Sequence, residues 1–225
     1  MEERIRYPEI DRFIRKTIKR ESGLLKCLED YASTHFIPII SPETAALLKV
    51  LVRIHRPGRI LEVGTAIGYS ALIMAAASEG KTHIDTIEID DEIAGMAEHH
   101  FRQSGYGHCI RVLRGDAVDI LQCLTTPYDM IFLDASKGQY PEFLPECLRL
   151  LKEGGILLSD NVLYKGLVVR EGQVEHKHRT IAVRLNEYLE SLCRNPLLDT
   201  AIIPIGDGLA LSYRLGGDGT LPCNA

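Results

Sequence analysis

The sequence predicts a doubly wound α/β domain whose seven-stranded, mostly parallel sheet ends in a C-terminal antiparallel hairpin. Two observations lead to this fold class. Between residues 59 and 159, short β-rich runs alternate with helical stretches, a pattern typical of parallel sheets covered by helices on both faces. The last two apolar runs, 201–205 and 209–215, are separated only by Gly206-Asp207-Gly208, a connection too short for a crossover helix.

A helical segment, residues 1–56, is expected to precede the sheet. Apolar residues recur at intervals of three and four in the first part of this segment. A further helix is expected from Ser41-Pro42-Glu43, which offers an N-cap, a proline at the first helical position and an acid in the first turn. The apolar faces of these helices need a partner, which either the chain's own domain or a second copy can supply. Of these two partners we favour the second copy, and we expect a homodimer.

Five parallel strands are expected in the central part of the chain. They are predicted at 59–63, 83–89, 110–114, 128–133 and 156–159. The intervals between them are long enough for right-handed crossover helices. Because the chain has 225 residues, we assign all of it, 1–225, to one domain with one main site.

The composition narrows the function classes. The chain is 45% hydrophobic and 25% charged, which is the balance of a globular protein. It shows neither a bilayer-spanning apolar run nor a signal peptide, so we expect a cytoplasmic protein without membrane contact. The six cysteines lack C-x-x-C spacing, which argues against a zinc site or a disulfide framework.

Charge leaves the question of a nucleic-acid partner open. The net charge of −5 argues against a broad non-specific nucleic-acid surface, because phosphate binding relies on Lys and Arg. Basic residues nevertheless gather in two clusters, which are either solvated helix faces or contacts for a phosphate backbone. The first basic cluster comprises Arg4, Arg6, Arg12, Arg15, Lys16, Lys19 and Arg20, and the second comprises Lys165, Arg170, Lys177, Arg179 and Arg184.

A nucleoside pocket is predicted where the first strand turns into a helix. Gly64 and Gly68 permit a tight turn and close approach of a ligand, but their G-x-x-x-G spacing differs from the G-x-G-x-x-G of dinucleotide sites. Glu62 would repel a diphosphate and could hold a cationic amino-acid group. The expected ligand is therefore a nucleoside that carries an amino acid. Glu88, at the end of the second strand, is placed to accept hydrogen bonds from ribose hydroxyls, and Asp116 is expected near the adenine edge.

A metal site is predicted beside this pocket. Asp134 ends the fourth strand and Asp160-Asn161 ends the fifth, and neighbouring parallel strands deliver their C-terminal residues to one crevice. Two carboxylates and an amide oxygen, without Cys or His, suit Mg²⁺, Mn²⁺ or Ca²⁺. Alternatively, each aspartate merely caps the helix that follows it.

The chain from about residue 37 to 215 resembles the metal-dependent, S-adenosylmethionine-dependent O-methyltransferases of the catechol and caffeoyl-CoA type. The resemblance lies in Ile40-Ser41-Pro42-Glu43, Glu62-Val63-Gly64-Thr65 with Gly68-Tyr69-Ser70, Asp134 followed by Lys137, and Asp160-Asn161. The segments 134–140, 159–163 and 176–181 are most similar to the bacterial tRNA 5-hydroxyuridine methyltransferases, which make 5-methoxyuridine at the tRNA wobble position.

The resemblance implies specific roles for these residues. It implies Asp134, Asp160 and Asn161 as metal ligands and Lys137, beside Asp134, as the catalytic base. It implies cofactor contacts from Ser41, Glu62, Gly64, Thr65, Ser70, Glu88, Asp116 and Asp134. The expected acceptor is a uridine 5-hydroxyl in the tRNA anticodon region. A catechol-like or phenylpropanoid small molecule is the alternative acceptor, and a non-catalytic nucleotide- or RNA-binding module is the remaining reading.

Overall fold

The computed structural model describes residues 7–169 and 176–217 of the chain. Of the two basic clusters, Arg4, Arg6, Arg170 and the side chain of Lys177 lie outside the described part.

The described chain forms one seven-stranded sheet in the order β3-β2-β1-β4-β5-β7-β6. Strands β1 to β5 pair in parallel, whereas β7 runs antiparallel to both β5 and β6. The predicted fold class, a doubly wound sheet with a C-terminal hairpin, is confirmed. The strands are β1 Arg59–Val63, β2 His83–Glu88, β3 Ile110–Arg114, β4 Tyr128–Leu133, β5 Leu151–Asp160, β6 Leu198–Ile203 and β7 Leu209–Arg214.

Helices cover both faces of this sheet, and an apolar core lies on each side of it. Helices α2 to α5 contribute to one core, and α6 to α8 contribute to the other. The helices are α1 Pro8–Thr17, α2 Gly23–His35, α3 Pro42–His55, α4 Tyr69–Ala77, α5 Asp91–Ser104, α6 Ala117–Cys123, α7 Tyr140–Leu150 and α8 His176–Cys193. Within the described part of the chain, no helix is long and apolar enough to cross a membrane.

For two strands, the predicted bounds were wrong by more than one residue. Strand β5 begins at Leu151 rather than at residue 156, because Leu151 already pairs with Tyr128 ahead of an irregularity in the β4–β5 register. Strand β6 begins at Leu198 and ends at Ile203, so the hairpin connection is longer than the three residues predicted. Pro204 follows β6 directly, and proline cannot donate a hydrogen bond to a strand ladder.

The start of α3 follows the local sequence signals. Ser41 is the N-cap, its side chain accepts a hydrogen bond from the Thr44 amide at 3.2 Å, and Pro42 opens the helix. Helix α1 contrasts with α3, because none of its residues is buried.

The chain order places a crevice at the carboxyl ends of β1 and β4. From β1 the sheet grows to one side through β2 and β3, and from β4 it grows to the other side. Such a switch point is where open α/β sheets bind ligands. The predicted site residues that follow β1 to β5 therefore meet at one edge of the sheet.

Candidate active site

A cavity of about 290 Å³ opens at this switch point. Residues after β1, β2, β3 and β4 form its walls, together with the segment that leads into α3. Of the predicted residues, the lining includes Gly64, Thr65, Ser70, Glu88, Asp116, Asp134 and Lys137. Ser41, Glu62, Asp160 and Asn161 lie outside this lining.

The turn after β1 requires glycine at Gly64. Its φ of 102° lies in the region that side chains rarely adopt, and a Cβ at this position would collide with the backbone carbonyl of Asp134. The end of β1 and the end of β4 are therefore in direct backbone contact. Thr65, the next residue, is buried, and its hydroxyl pairs with that of Thr86 at 2.7 Å.

Glu62 lies beneath the pocket rather than in its wall. Its side chain is fully buried, and the Thr86 hydroxyl donates to its Oε2 at 2.5 Å. Among the described residues, Oε1 has no hydrogen-bond partner. Burial raises the pKa of Glu62 to about 8, although the hydroxyls of Ser70 and Thr86 oppose this shift. Glu62 does not line the cavity, and its contact to a bound amino-acid group stays a prediction.

Glu88 and Asp116 are held in the pocket wall by backbone amides. Glu88 Oε2 accepts from the Ala66 amide at 2.9 Å, and its Oε1 accepts from the next two amides along the chain at 3.0 and 3.1 Å. Asp116 Oδ1 caps α6 by accepting from the Val118 amide at 2.8 Å. Both carboxylates thus have a structural role and also line the cavity.

Sequence reasoning missed the apolar part of the pocket. The segment before α3 contributes Pro38, Ile39 and Ile40, while Ser41 is occupied as the N-cap of that helix. Tyr69 and Phe143 also line the cavity. These residues carry no chemical signature, because apolar residues before a helix and within one are equally typical of an ordinary core.

Asp134 is the point where the pocket meets the predicted metal ligands. The Lys137 ammonium donates to Asp134 Oδ1 at 2.8 Å, and the Asn161 amide nitrogen donates to the same oxygen at 3.3 Å. The backbone amide of Asn161 donates to Asp160 Oδ1 at 2.8 Å. The structure therefore brings all four predicted residues of the metal and catalytic set together.

This set fits a hard divalent cation. Asp160 is buried, and burial together with the negative charge of Asp134 raises its pKa to about 7. Two carboxylates this close need a compensating positive charge, and an amide beside them can supply a further oxygen ligand if it presents Oδ1. Within the described residues, no group of three or more His, Cys, Asp or Glu side chains could hold a metal ion, so this set relies on Asn161 as its third protein ligand.

Some described members of the two basic clusters lie close to this site. Arg15, Lys19 and Arg20 line a surface cavity together with Tyr69, which also lines the main pocket. In the second cluster, Lys165 is exposed and lies four residues after Asn161 in the sequence. Some of this charge is already paired, since Arg15 Nε lies 3.0 Å from Glu43 Oε1. In the second cluster, Arg184 Nη2 similarly lies 2.5 Å from Glu142 Oε1.

Comparison with known proteins identifies the family. The profile of the O-methyltransferase family matches residues 16–215. Catechol O-methyltransferase of Niastella koreensis is 30% identical over 217 residues, which cover 92% of this chain and 96% of that protein. Caffeoyl-CoA O-methyltransferase of Stellaria longipes is 31% identical over 208 residues, covering 87% of this chain and 85% of that protein.

A solved structure supports the same assignment. The O-methyltransferase TomG of Streptomyces achromogenes, determined in complex with S-adenosylmethionine, superposes with a TM-score of 0.82 at 27% identity and covers 96% of this chain and 100% of its own. The enzyme class expected from the sequence is thereby confirmed, and the acceptor and the metal stay predictions. The chain belongs to the family of S-adenosylmethionine-dependent O-methyltransferases.

Proposed function

We propose that this protein transfers the methyl group of S-adenosylmethionine to an acceptor hydroxyl held beside a divalent cation, Mg²⁺ or another hard cation such as Mn²⁺ or Ca²⁺. The observation that carries the proposal is that Asp134 belongs both to the cavity and to the predicted metal set. Asp134 lines the cavity, and its side chain contacts both Lys137 and Asn161. A methyl donor in the cavity and an acceptor at the cation would therefore meet at one residue.

The donor half of the site uses the ends of β1, β2 and β3. Glu88 is fixed by three backbone amides, and its carboxylate retains lone pairs that can accept from ribose hydroxyls. Asp116 lies in the same wall, and we assign it to contact the adenine edge. Gly64 lets the ligand approach the backbone. Glu62 supports this wall from below.

The acceptor half uses the ends of β4 and β5. Asp134, Asp160 and Asn161 would hold the cation, which when bound lowers the pKa of an acceptor hydroxyl as a Lewis acid. Lys137 lies within hydrogen-bond distance of Asp134, and we assign its neutral amine form, which becomes the ammonium, to take the proton from that hydroxyl. The apolar residues of the cavity exclude water from the methyl group.

The favoured acceptor is 5-hydroxyuridine at the wobble position of tRNA. Its hydroxyl stands beside a carbonyl, so the two oxygens could share a cation as those of a catechol do. The location of the basic residues supports this choice, because Arg15, Lys19 and Arg20 line a separate surface cavity that shares Tyr69 with the main pocket. Lys165 and Arg179 add exposed charge near Asn161 and on α8. A phosphate backbone could follow such residues while a splayed base enters the site.

A catechol-like or phenylpropanoid acceptor is the second candidate. The apolar residues Pro38, Ile39 and Phe143 could contact a planar small molecule, and the net charge of −5 does not favour RNA. The names of the catechol and caffeoyl-CoA relatives point the same way.

Transfer of radiolabelled methyl to each acceptor separates these candidates. The wild-type enzyme with Mg²⁺ is given tRNA that carries 5-hydroxyuridine, the same tRNA with unmodified uridine as the control, and catechol. Label on the hydroxylated tRNA alone is the expected result. Label on catechol alone would assign the protein to the small-molecule branch, and label on none would support the non-catalytic reading.

The same proposal includes a homodimer formed through the N-terminal helices. Tyr7, the N-cap of α1, and Ile10 and Phe13 within the helix are exposed, with exposed fractions of 66%, 51% and 68%. Exposed apolar residues grouped on one helix are typical of an interface. Light scattering of the full chain is expected to give twice the monomer mass, and the variant Phe13→Asp is expected to shift it towards the monomer.

A further inference from the structure

Strands β4 and β5 stop pairing with each other one residue before Asp134 and Asp160. Their last paired residues are Leu133 and Ser159. Beyond them, the Asp134 amide bonds to the Val63 carbonyl of β1, at 2.9 Å, and Asp160 pairs with Leu209 of β7. The two candidate metal ligands therefore lie just past the end of the hydrogen bonding that joins their strands, and the ladder itself no longer fixes their separation.

One side chain spans this gap. The Tyr140 hydroxyl lies 3.1 Å from the Leu133 carbonyl and 3.0 Å from the Asp160 carbonyl, within hydrogen-bond distance of both strand ends. Tyr140 is fully buried, and its ring packs edge-on against Tyr188 with centroids 5.3 Å apart. The single proton of this hydroxyl can be shared between the two carbonyl oxygens in a three-centre hydrogen bond.

The same residue anchors the segment that carries Lys137. A short 3-10 helix, Lys137–Gln139, leads directly into α7, which begins at Tyr140. The Gln139 amide closes this turn on the Ser136 carbonyl at 2.9 Å. Because Tyr140 is held in the core, the position of the turn, and with it Lys137, depends on the same contact that joins the strand ends.

We infer that Tyr140 is a positioning residue, whose hydroxyl bridges the ends of β4 and β5 and sets the spacing of Asp134 and Asp160 for a divalent cation. Tyr140 does not face the cavity and is not a ligand. It acts through the backbone on both carboxylates, as partners outside the coordination sphere commonly do. The inference rests on the metal site of the proposed function.

The test compares Mn²⁺ affinity with thermal stability in the full chain. Tyr140→Phe removes only the hydroxyl, and Tyr128→Phe is the matched control. Tyr128 is also fully buried, lies at the opposite end of β4, and donates its hydroxyl to Asp85 at 2.8 Å. Both variants lose a buried hydrogen bond and are expected to unfold at a lower temperature. Only Tyr140→Phe is expected to weaken Mn²⁺ binding, measured by electron paramagnetic resonance, by about tenfold.

Two further variants separate the donated proton from the volume that the hydroxyl fills. Tyr140→4-aminophenylalanine retains a donor at the same place and is expected to bind Mn²⁺ like the wild type. Tyr140→4-methylphenylalanine fills the space without donating and is expected to show the same weak binding as Tyr140→Phe. If Tyr140→Phe does not fold, the difference in Mn²⁺ affinity between these two variants still tests the inference.

The outcomes that overturn the inference are distinct from failure of the metal site. Equal Mn²⁺ affinity in the wild type and in the folded variants that lack a donor would reduce Tyr140 to a packing residue, while the metal site would stand. Absence of Mn²⁺ binding by the wild-type chain would overturn both the metal site and the positioning role.

Discussion

The two halves of the site differ in how completely their polar groups are satisfied. In the donor half, the Glu88 and Asp116 carboxylates accept hydrogen bonds from backbone amides at fixed distances. In the acceptor half, burial raises the pKa of Asp160, and the negative charge of Asp134 adds to this shift. In the function proposed above, the donor pocket is preformed and a cation completes the acceptor centre.

The largest effect that sharpens this contrast is expected from Asp160→Asn. The substitution preserves size but removes one of two negative charges, so we expect methyl transfer to fall by about 10³-fold through loss of Lewis-acid stabilisation. Because Asp160 is outside the donor pocket, the affinity for S-adenosylhomocysteine should stay within about twofold of the wild type. Calorimetry measures the affinity, and label transfer measures the rate. A parallel loss of both would break the division into two halves.

Replacement of Lys137 tests the acceptor half without removing a ligand. Lys137→Met keeps much of the side-chain length but cannot take a proton, and we expect kcat to fall by about 10²-fold. Mn²⁺ affinity should not decrease, since the ammonium competes for Asp134 Oδ1, from which it lies 2.8 Å. An unchanged kcat would remove Lys137 from the mechanism. Lys152→Met is the matched control, because that lysine pairs with Asp129 Oδ1 at 2.7 Å and does not line the pocket.

In the donor half, Glu88→Gln is expected to have a smaller and different effect. The neutral amide weakens the charge-assisted hydrogen bonds to ribose, so the Kd for S-adenosylhomocysteine should rise by about tenfold. Mn²⁺ affinity should stay the same, because the side chain makes its contacts at the end of β2. Loss of Mn²⁺ affinity in this variant would show that the halves are coupled more tightly than their contacts indicate.

The smallest effect concerns stability and pH. The pKa of Glu62 is raised to about 8 in the folded chain, so the folded state retains a proton that the unfolded state releases above its ordinary value of 4.5. The resulting stabilisation is complete below pH 4.5 and is lost as the pH rises towards 8. Between pH 5.5 and 6.5, the free energy of unfolding of the wild type should fall by about 1.4 kcal/mol relative to that of Glu62→Gln, as urea denaturation measures. Parallel pH profiles would contradict the shift.

The fold, and the edge of the sheet where the site lies, can be predicted from the sequence because both follow from local patterns. Alternating strands and helices define the sheet, and polar residues at strand ends identify the crevice where Glu88, Asp116 and Asp134 are found. The β5 and β6 boundaries were misjudged because pairing with neighbouring strands extends them beyond their apolar runs.

What the sequence could not supply depends on tertiary contacts. Whether Glu62 points into the pocket or beneath it is decided by the packing around β1 and β2, where Thr86 meets it. Ser41 has one local partner in α3, which explains its position outside the lining. The Tyr140 hydroxyl contacts Leu133, 7 positions before it, and Asp160, 20 positions after it, and no sequence spacing predicts such contacts.

The most direct test of the central claim measures chelator sensitivity in each half of the wild-type enzyme. With the acceptor that takes label, methyl transfer is followed with Mg²⁺ and with EDTA, and S-adenosylhomocysteine binding is measured by calorimetry under the same two conditions. We predict that EDTA abolishes transfer and that Mg²⁺ restores it, while binding changes by less than about twofold. Transfer that proceeds equally well in EDTA would contradict the assignment of a cation to Asp134, Asp160 and Asn161.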